Sequence, residues 1–292
     1  MGERTRWVSG THSEQDFNGD PSPYTALGNF EGIKAAIRHR LNQSELSGIS
    51  VTIQGARNVG MHLTRLLTEE SARVYVSDVN EQSLNTATSL YGAIKVDPSK
   101  IHRLDVDVFA PCKMGGAINH VSIEEIRAPI IAGASNNQLA SPELAEELKQ
   151  RNILNAPDYV INADGIIDVY HQQAGNWDAH RVREQVVSIG TTLAQIFERA
   201  DKDCLSTSVV ADSTAEETFL NQKQVSNAAE AIARTGLMFI NIGRHRHLML
   251  TRGPRWSKSL LLNTATIRHS RSPWIKQNQR FQIAISSNNS IY

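Results

Sequence analysis

The chain has 292 residues, 40% hydrophobic and 21% charged, the balance of a soluble globular protein with one large domain or two ordinary ones. Its 30 basic and 30 acidic side chains cancel, but nine of the basic ones and none of the acidic ones lie in 244–292, so an acidic body carries a basic end. No apolar run of about 18 residues marks a membrane span, Met1 to Trp7 lacks the apolar core of a secretion signal, and Cys112 and Cys204 form neither a disulfide framework nor a zinc spacing, which leaves a cytoplasmic protein with no membrane partner and no metal.

Residues 1–24 read as a loop that closes on the stiff turn Gly19-Asp20-Pro21-Ser22-Pro23. Thr25 is expected to cap a helix whose apolar positions Leu27, Phe30, Ile33, Ala36 and Ile37 recur at helical spacing. Ser47-Gly48 then breaks the chain, so residues 1–46 form an entry loop and a linking helix. Ile49 to Ile53 is a short apolar run, read as a buried strand; a glycine-containing turn follows, then a helix bearing Met61, Leu63, Leu66 and Leu67. Arg73 to Asp78 is a second strand ending in an acid, and a helix spans roughly 80–91. Strand patterns recur at 106–109, 129–132 and 158–162, with a polar helix over 142–150 between the last two. Val182, Val186, Ile189, Leu193, Ile196 and Phe197 mark one face of a long helix, and a last helix falls within 213–233.

Strands alternating with helices predict an α/β fold over 47–243: a doubly wound, Rossmann-type parallel sheet with helices on both faces. Such sheets bind ligands beyond the carboxyl ends of their strands, where the connections diverge. Residues 244–292 break the rhythm. They are rich in Arg, Ser and Asn without a sustained period, and are expected to be a poorly ordered basic tail. The tail reads either as an interaction arm for an anion or as a read-through or frame-shifted end. Few aromatics and no RNA-binding signature favour the second, so nucleic acid is not the partner this sequence points to.

The first strand–helix turn, Gln54-Gly55-Ala56-Arg57-Asn58-Val59-Gly60, sits where a dinucleotide fingerprint belongs. Gly55 suits the tight turn, Gly60 lets the helix pack on the sheet, and the helix N-terminus offers free N–H groups to a pyrophosphate. Asp78, 18 residues beyond Gly60, can accept both ribose hydroxyls and would repel a 2′-phosphate, which selects NAD over NADP. Arg57 replaces the central glycine of the fingerprint. Its Cβ obstructs the pyrophosphate, or its guanidinium binds it; the spacing alone is also compatible with a mere packing device.

Further blocks follow in order. Gly19 to Gly28, Gln54 to Gly60, Ser77-Asp78-Val79-Asn80, Asp107-Val108-Phe109-Ala110-Pro111-Cys112, Ile131 to Leu139 and Ala156 to Ala163 together resemble the cofactor domain of the leucine, valine, phenylalanine and tryptophan dehydrogenases, over roughly residues 5–220. The resemblance implies that Thr25 lies near the nicotinamide end of NAD, that Gly55, Ala56, Arg57, Asn58, Val59 and Gly60 hold the pyrophosphate, and that Asp78 holds the adenosine ribose. It implies further that Ala110 and Cys112 line the cofactor cleft, that Asn136 and Asn162 contact the nicotinamide ribose, the carboxamide or the substrate, and that Ile166 and Val169 line the pocket for an amino-acid side chain. Read from the residues alone, Asn136 and Asn162 are equally turn formers, Ile166 and Val169 core, Asp78 a solvated strand end and Cys112 a packed small residue.

The family's lysine-bearing N-terminal domain has no counterpart in this sequence, which contains no Gly-Gly-x-Lys segment, so no catalytic residue is expected within the chain. Asp164 stands at the first glycine of the family's Asn-Ala-Gly-Gly, and Asp168 at the asparagine of its Val-Ile-Asn-Val. The implied function is NAD-dependent oxidative deamination of a branched-chain or aromatic L-amino acid to its 2-oxo acid, with this chain as the cofactor domain. A separate catalytic domain or a homo-oligomer would be the partner. The alternative is a catalytically inactive dinucleotide-binding remnant or subunit.

Overall fold

The computed structural model describes residues 20–113, 115–174 and 177–220, and the backbone of 237–242 and 245–250. A helix, α1 (Ser22–Leu41), opens the described chain. Thr25 does not cap it as expected: the helix starts three residues earlier, because Pro23 fits a first turn and Asp20 accepts the Ser22 N–H at 2.9 Å.

Strands β1 (Ser50–Gln54), β2 (Arg73–Ser77), β3 (Ile94–Lys95), β4 (Val108–Pro111), β5 (Ile130–Ile131) and β6 (Leu154–Asn155) form one sheet in the order β3-β2-β1-β4-β5-β6. Every pairing in it is parallel. The connections run outward from β1 in one direction and from β4 in the other. That divergence is the doubly wound pattern, and its switch point lies between β1 and β4.

Side chains alternate along the strands as the pleat requires. Val108 and Ala110 join a core with α1, α2 (Asn58–Glu69), α3 (Glu81–Tyr91) and α8 (Ala179–Asp203). Phe109 and Ile131 point into a second core, which holds Ile123 of α4 (Ser122–Glu125) and Leu144 and Leu148 of α5 (Leu144–Gln150). Helices therefore cover both faces. α1 shares the first core: a Cβ on its Gly32 would stand 2.6 Å from Ile161 and 2.9 Å from Leu193, so the helix is pressed against its neighbours.

The strand expected at 158–162 is a helix, α6 (Asp158–Ile161). Leu154 and Asn155 occupy the edge of the sheet instead, with the Leu154 and Ala156 amides donating to Pro129 and Ile131 at 2.9 and 2.8 Å. Pro157 has no N–H to continue the ladder, and the apolar run Val160-Ile161 is buried from a helix rather than from a strand. α7 (Asp164–Ala174), which follows at once, was not anticipated. The last helix, α9, runs over 207–220, and the remainder of the expected 213–233 lies outside the described residues. Strands β7 (Leu237–Ile242) and β8 (His245–Leu250) pair antiparallel. The second of these falls in the stretch read as an irregular tail, the rest of which is outside the described residues. Among the described residues no helix is long and apolar enough to cross a membrane.

Candidate functional site

The β1–α2 turn occupies the switch point, and its glycines are there for space. Gly55 has φ +111°, and a Cβ on it would lie 2.8 Å from the Cys112 carbonyl oxygen just beyond β4. A Cβ on Gly60 would lie 1.8 Å from the Gly55 carbonyl oxygen, which only glycine avoids. Arg57 sits between them with φ −102° and ψ 176°, extended backbone that any residue adopts, and its side chain is exposed. The structure thus gives Arg57 no steric quarrel with its own turn. Asn58 begins α2, which receives no side-chain cap, so the first-turn amides keep their donors for a ligand. Val59 is half-buried against the core.

Asp78 stands just past β2 and is tied to this turn. One oxygen accepts the Ala56 N–H at 2.8 Å and the other the Asn80 N–H at 2.8 Å. A carboxylate has about four acceptor sites, so two remain for hydroxyls of a ligand. Ala110 is wholly buried in β4, and the Cys112 amide donates to the Gln54 carbonyl at 2.8 Å, locking β4's end beside the turn. Burial pushes the Cys112 thiol up to about 12, so it is a packed group rather than a nucleophile.

A second cluster lies beyond the ends of β5 and β6. Asn162, at the end of α6, donates from Nδ2 to Asn136 Oδ1 at 3.3 Å and accepts at Oδ1 from Asn29 Nδ2 at 2.8 Å. Asn29 is fully buried on α1 and also donates to the Thr25 carbonyl at 2.9 Å. The Thr25 hydroxyl donates to Asp164 Oδ2 at 2.6 Å. Asp164 opens α7 almost without exposure, its Oδ1 buried with no hydrogen-bond partner. Burial, opposed by the Thr25 bond, pushes this acid up to about 7. Ser135 connects the two clusters, its amide donating to Pro111 at 2.8 Å and its hydroxyl to the Lys113 carbonyl at 3.0 Å.

The twelve expected cofactor residues therefore fall into two groups, one at the switch point and the other, Thr25, Asn136 and Asn162, beyond the ends of β5 and β6. Ile166 and Val169 are half-buried three residues apart on one face of α7, the helix that Asp164 opens. Asn29 was missed, although it lies one turn beyond Thr25. The oxygens of Asp168 accept from Trp177 Nε1 at 2.8 Å and Gln172 Nε2 at 2.6 Å. Among the described residues no three His, Cys, Asp or Glu side chains gather as metal ligands.

A diverging parallel sheet, a two-glycine turn at a helix N-terminus and an acid ending the second strand define an α/β domain of Rossmann type, and these residues fit a dinucleotide. Residues 76–236 match the Glutamate/Leucine/Phenylalanine/Valine dehydrogenase family, and the chain belongs to that family. It is 40% identical over 232 residues to an L-tryptophan dehydrogenase of Nostoc punctiforme, covering 79% of this chain and 65% of that one. It is 38% identical over 215 residues to the leucine dehydrogenase of Geobacillus stearothermophilus, covering 74% and 58%. The crystal structure of L-tryptophan dehydrogenase from Nostoc punctiforme superposes with a TM-score of 0.64 at 43% identity, over 65% of this chain and 58% of that chain. The chain thus spans about three-fifths of the length of the curated relatives it matches.

Proposed function

We propose that this chain binds NAD across the carboxyl ends of its strands as the cofactor-binding part of a cytoplasmic amino-acid dehydrogenase of leucine type. The reaction interconverts a branched-chain or aromatic L-amino acid with its 2-oxo acid and ammonium. The observation that carries the reading is the joint between Asp78 and the β1–α2 turn, which sets a carboxylate beside a helix N-terminus without a side-chain cap. The bound cofactor would supply the hydride acceptor. Asp78 would orient the adenosine end through its free acceptor sites, and its charge would oppose a 2′-phosphate. The α2 amides would face the pyrophosphate, with the exposed Arg57 guanidinium beside them.

The far end of an extended dinucleotide lies across the switch point, over the Asn136–Asn162 pair and Thr25. Ile166 and Val169 would offer apolar surface to the substrate side chain. Proton transfer and binding of the substrate carboxylate need groups this site does not hold among its described residues. A lysine-bearing domain, or further copies of the chain in an oligomer, would supply them.

Calorimetry of NAD binding to the full chain and to Asp78→Asn and Asp78→Ala tests the reading. NAD should bind, and both variants should weaken it about tenfold or more as a charged acceptor is lost. No binding would refute the cofactor site. Binding without turnover of any L-amino acid, once the lysine-bearing domain of a relative is added, would refute the dehydrogenase and leave a dinucleotide-binding protein.

A further inference from the structure

Asp164 is a buried carboxylate of the site that the proposed function does not use. Its placement is specific: Oδ2 lies 2.6 Å from the Thr25 hydroxyl, Oδ1 is buried without a partner, and the Thr25 carbonyl is held by Asn29, which also grips Asn162. Thr25 has one hydroxyl proton and two candidate acceptors, Asp164 Oδ2 and the Pro21 carbonyl at 3.2 Å. Which of these it serves depends on whether Asp164 is charged. An ionised Asp164 takes the proton, and Thr25 then offers a ligand only lone pairs. A protonated Asp164 instead donates to Thr25 Oγ1, which releases the hydroxyl proton toward another acceptor.

Resting on the cofactor reading above, we propose that Asp164 is a positioning residue for the carboxamide end of the dinucleotide: by its own proton it sets whether Thr25 can donate to the carboxamide oxygen. The strand order supports the location. With the adenosine end at β2 and the pyrophosphate at β1, the amide end falls beyond β4 and β5, toward the Asn136, Asn162 and Thr25 cluster. Dinucleotide binding then takes up a proton on Asp164, and affinity falls as the pH rises through the range in which the acid ionises. Burial puts that range near neutrality.

Among the described residues, the elements packed with α7 carry these charged or titratable groups: Asp168 and His171 on α7 itself, the Glu31–Lys34 pair on α1, exposed Arg181 and Glu184 on α8, and Asp158 on the preceding α6. Asp168 acts on Asp164 in the same sense as burial. His171 is occupied by Gln185 at 2.7 Å.

The test is NAD affinity between pH 5.5 and 8.5, by calorimetry on the full chain, with ADP-ribose as a ligand that lacks the nicotinamide. The wild type should bind NAD about fivefold more weakly at pH 8.5 than at pH 5.5, the worth of one hydrogen bond, and ADP-ribose without that slope. Asp164→Asn, whose amide permanently donates to Thr25, should bind NAD at the low-pH strength across the range. Thermal melts confirm that the variant is folded. A flat NAD profile in the wild type, the same slope with ADP-ribose, or a slope that survives Asp164→Asn would overturn the role of Asp164 while leaving the cofactor site intact. Failure to bind either ligand at any pH would overturn both.

Discussion

Gly60→Ala is the sharpest probe of how the β1–α2 turn is built. The added methyl would stand 1.8 Å from the Gly55 carbonyl oxygen and 2.9 Å from its carbon, against an ordinary contact of about 3.4 Å or more. Overpacking costs about 1–3 kcal/mol where side chains can move aside. Here the obstacle is backbone, pinned by the Gly55 amide on Ser77 at 2.7 Å and the Ala56 amide on Asp78 at 2.8 Å. The cost therefore belongs at or above the top of that range, about 3 kcal/mol, and a domain of this size should lose about 6–12 °C in melting temperature. Circular-dichroism melts and urea unfolding would measure it. Gly165→Ala is the matched control. Gly165 lies in the first turn of α7 with an ordinary backbone and open space where its Cβ would go, so alanine should leave stability unchanged or raise it by about 0.4–1 kcal/mol. If Gly60→Ala melted within a degree or two of the wild type, or Gly165→Ala fell equally far, the close approach of helix to strand would be wrong.

Two further outcomes rest on burial. Phe197 on α8 is fully buried and its ring lies 5.4 Å from that of His39, so Phe197→Ala should cost about 3–5 kcal/mol, read as a lower urea midpoint; a loss under about 1 kcal/mol would mean α8 does not pack on this core. Asp164 holds its proton more tightly folded, near 7, than at its unfolded value of 3.8, so the stability it contributes is full below about pH 4 and lost as the pH rises through 7. Asp164→Asn should therefore match the wild type at pH 4 and exceed it at pH 8 by on the order of 4 kcal/mol, and equal urea midpoints at pH 8 would refute the burial of that charge.

The sheet was legible where the chain announces strands by composition. Ile49 to Ile53 and Arg73 to Asp78 lie within a residue of β1 and β2, because a strand buried on both faces is a continuous apolar run. Asp158 to Asn162 has the same composition and failed. A short apolar run such as Tyr159-Val160-Ile161 reads equally as a strand or as one turn of a buried helix. What decided it was the proline before it and the pairing of Leu154-Asn155 with β5, a long-range contact that no local pattern contains. β3 and β6, two residues each and not flanked by an apolar run like that around β5, are below what periodicity can register.

The candidate site divides in the same way. Gly55, Gly60 and Asp78 were legible because their roles are local: a positive φ, a close approach and the end of a strand, each written into a few neighbouring residues. Asn29 was not, since its amide bridges the Thr25 carbonyl and Asn162, and Asn162 lies 133 residues further along the chain than Asn29. In the sequence Asp164 stands out only as a carboxylate where the family has glycine; its near-complete burial and its 2.6 Å bond to Thr25 join α7 to α1, elements far apart in the chain, which no local pattern contains. Desolvation is what turns the apparent blemish into a group with chemistry: the same aspartate on the surface would be a fixed charge, and only its burial between α1 and α7 makes its proton depend on what binds beside it.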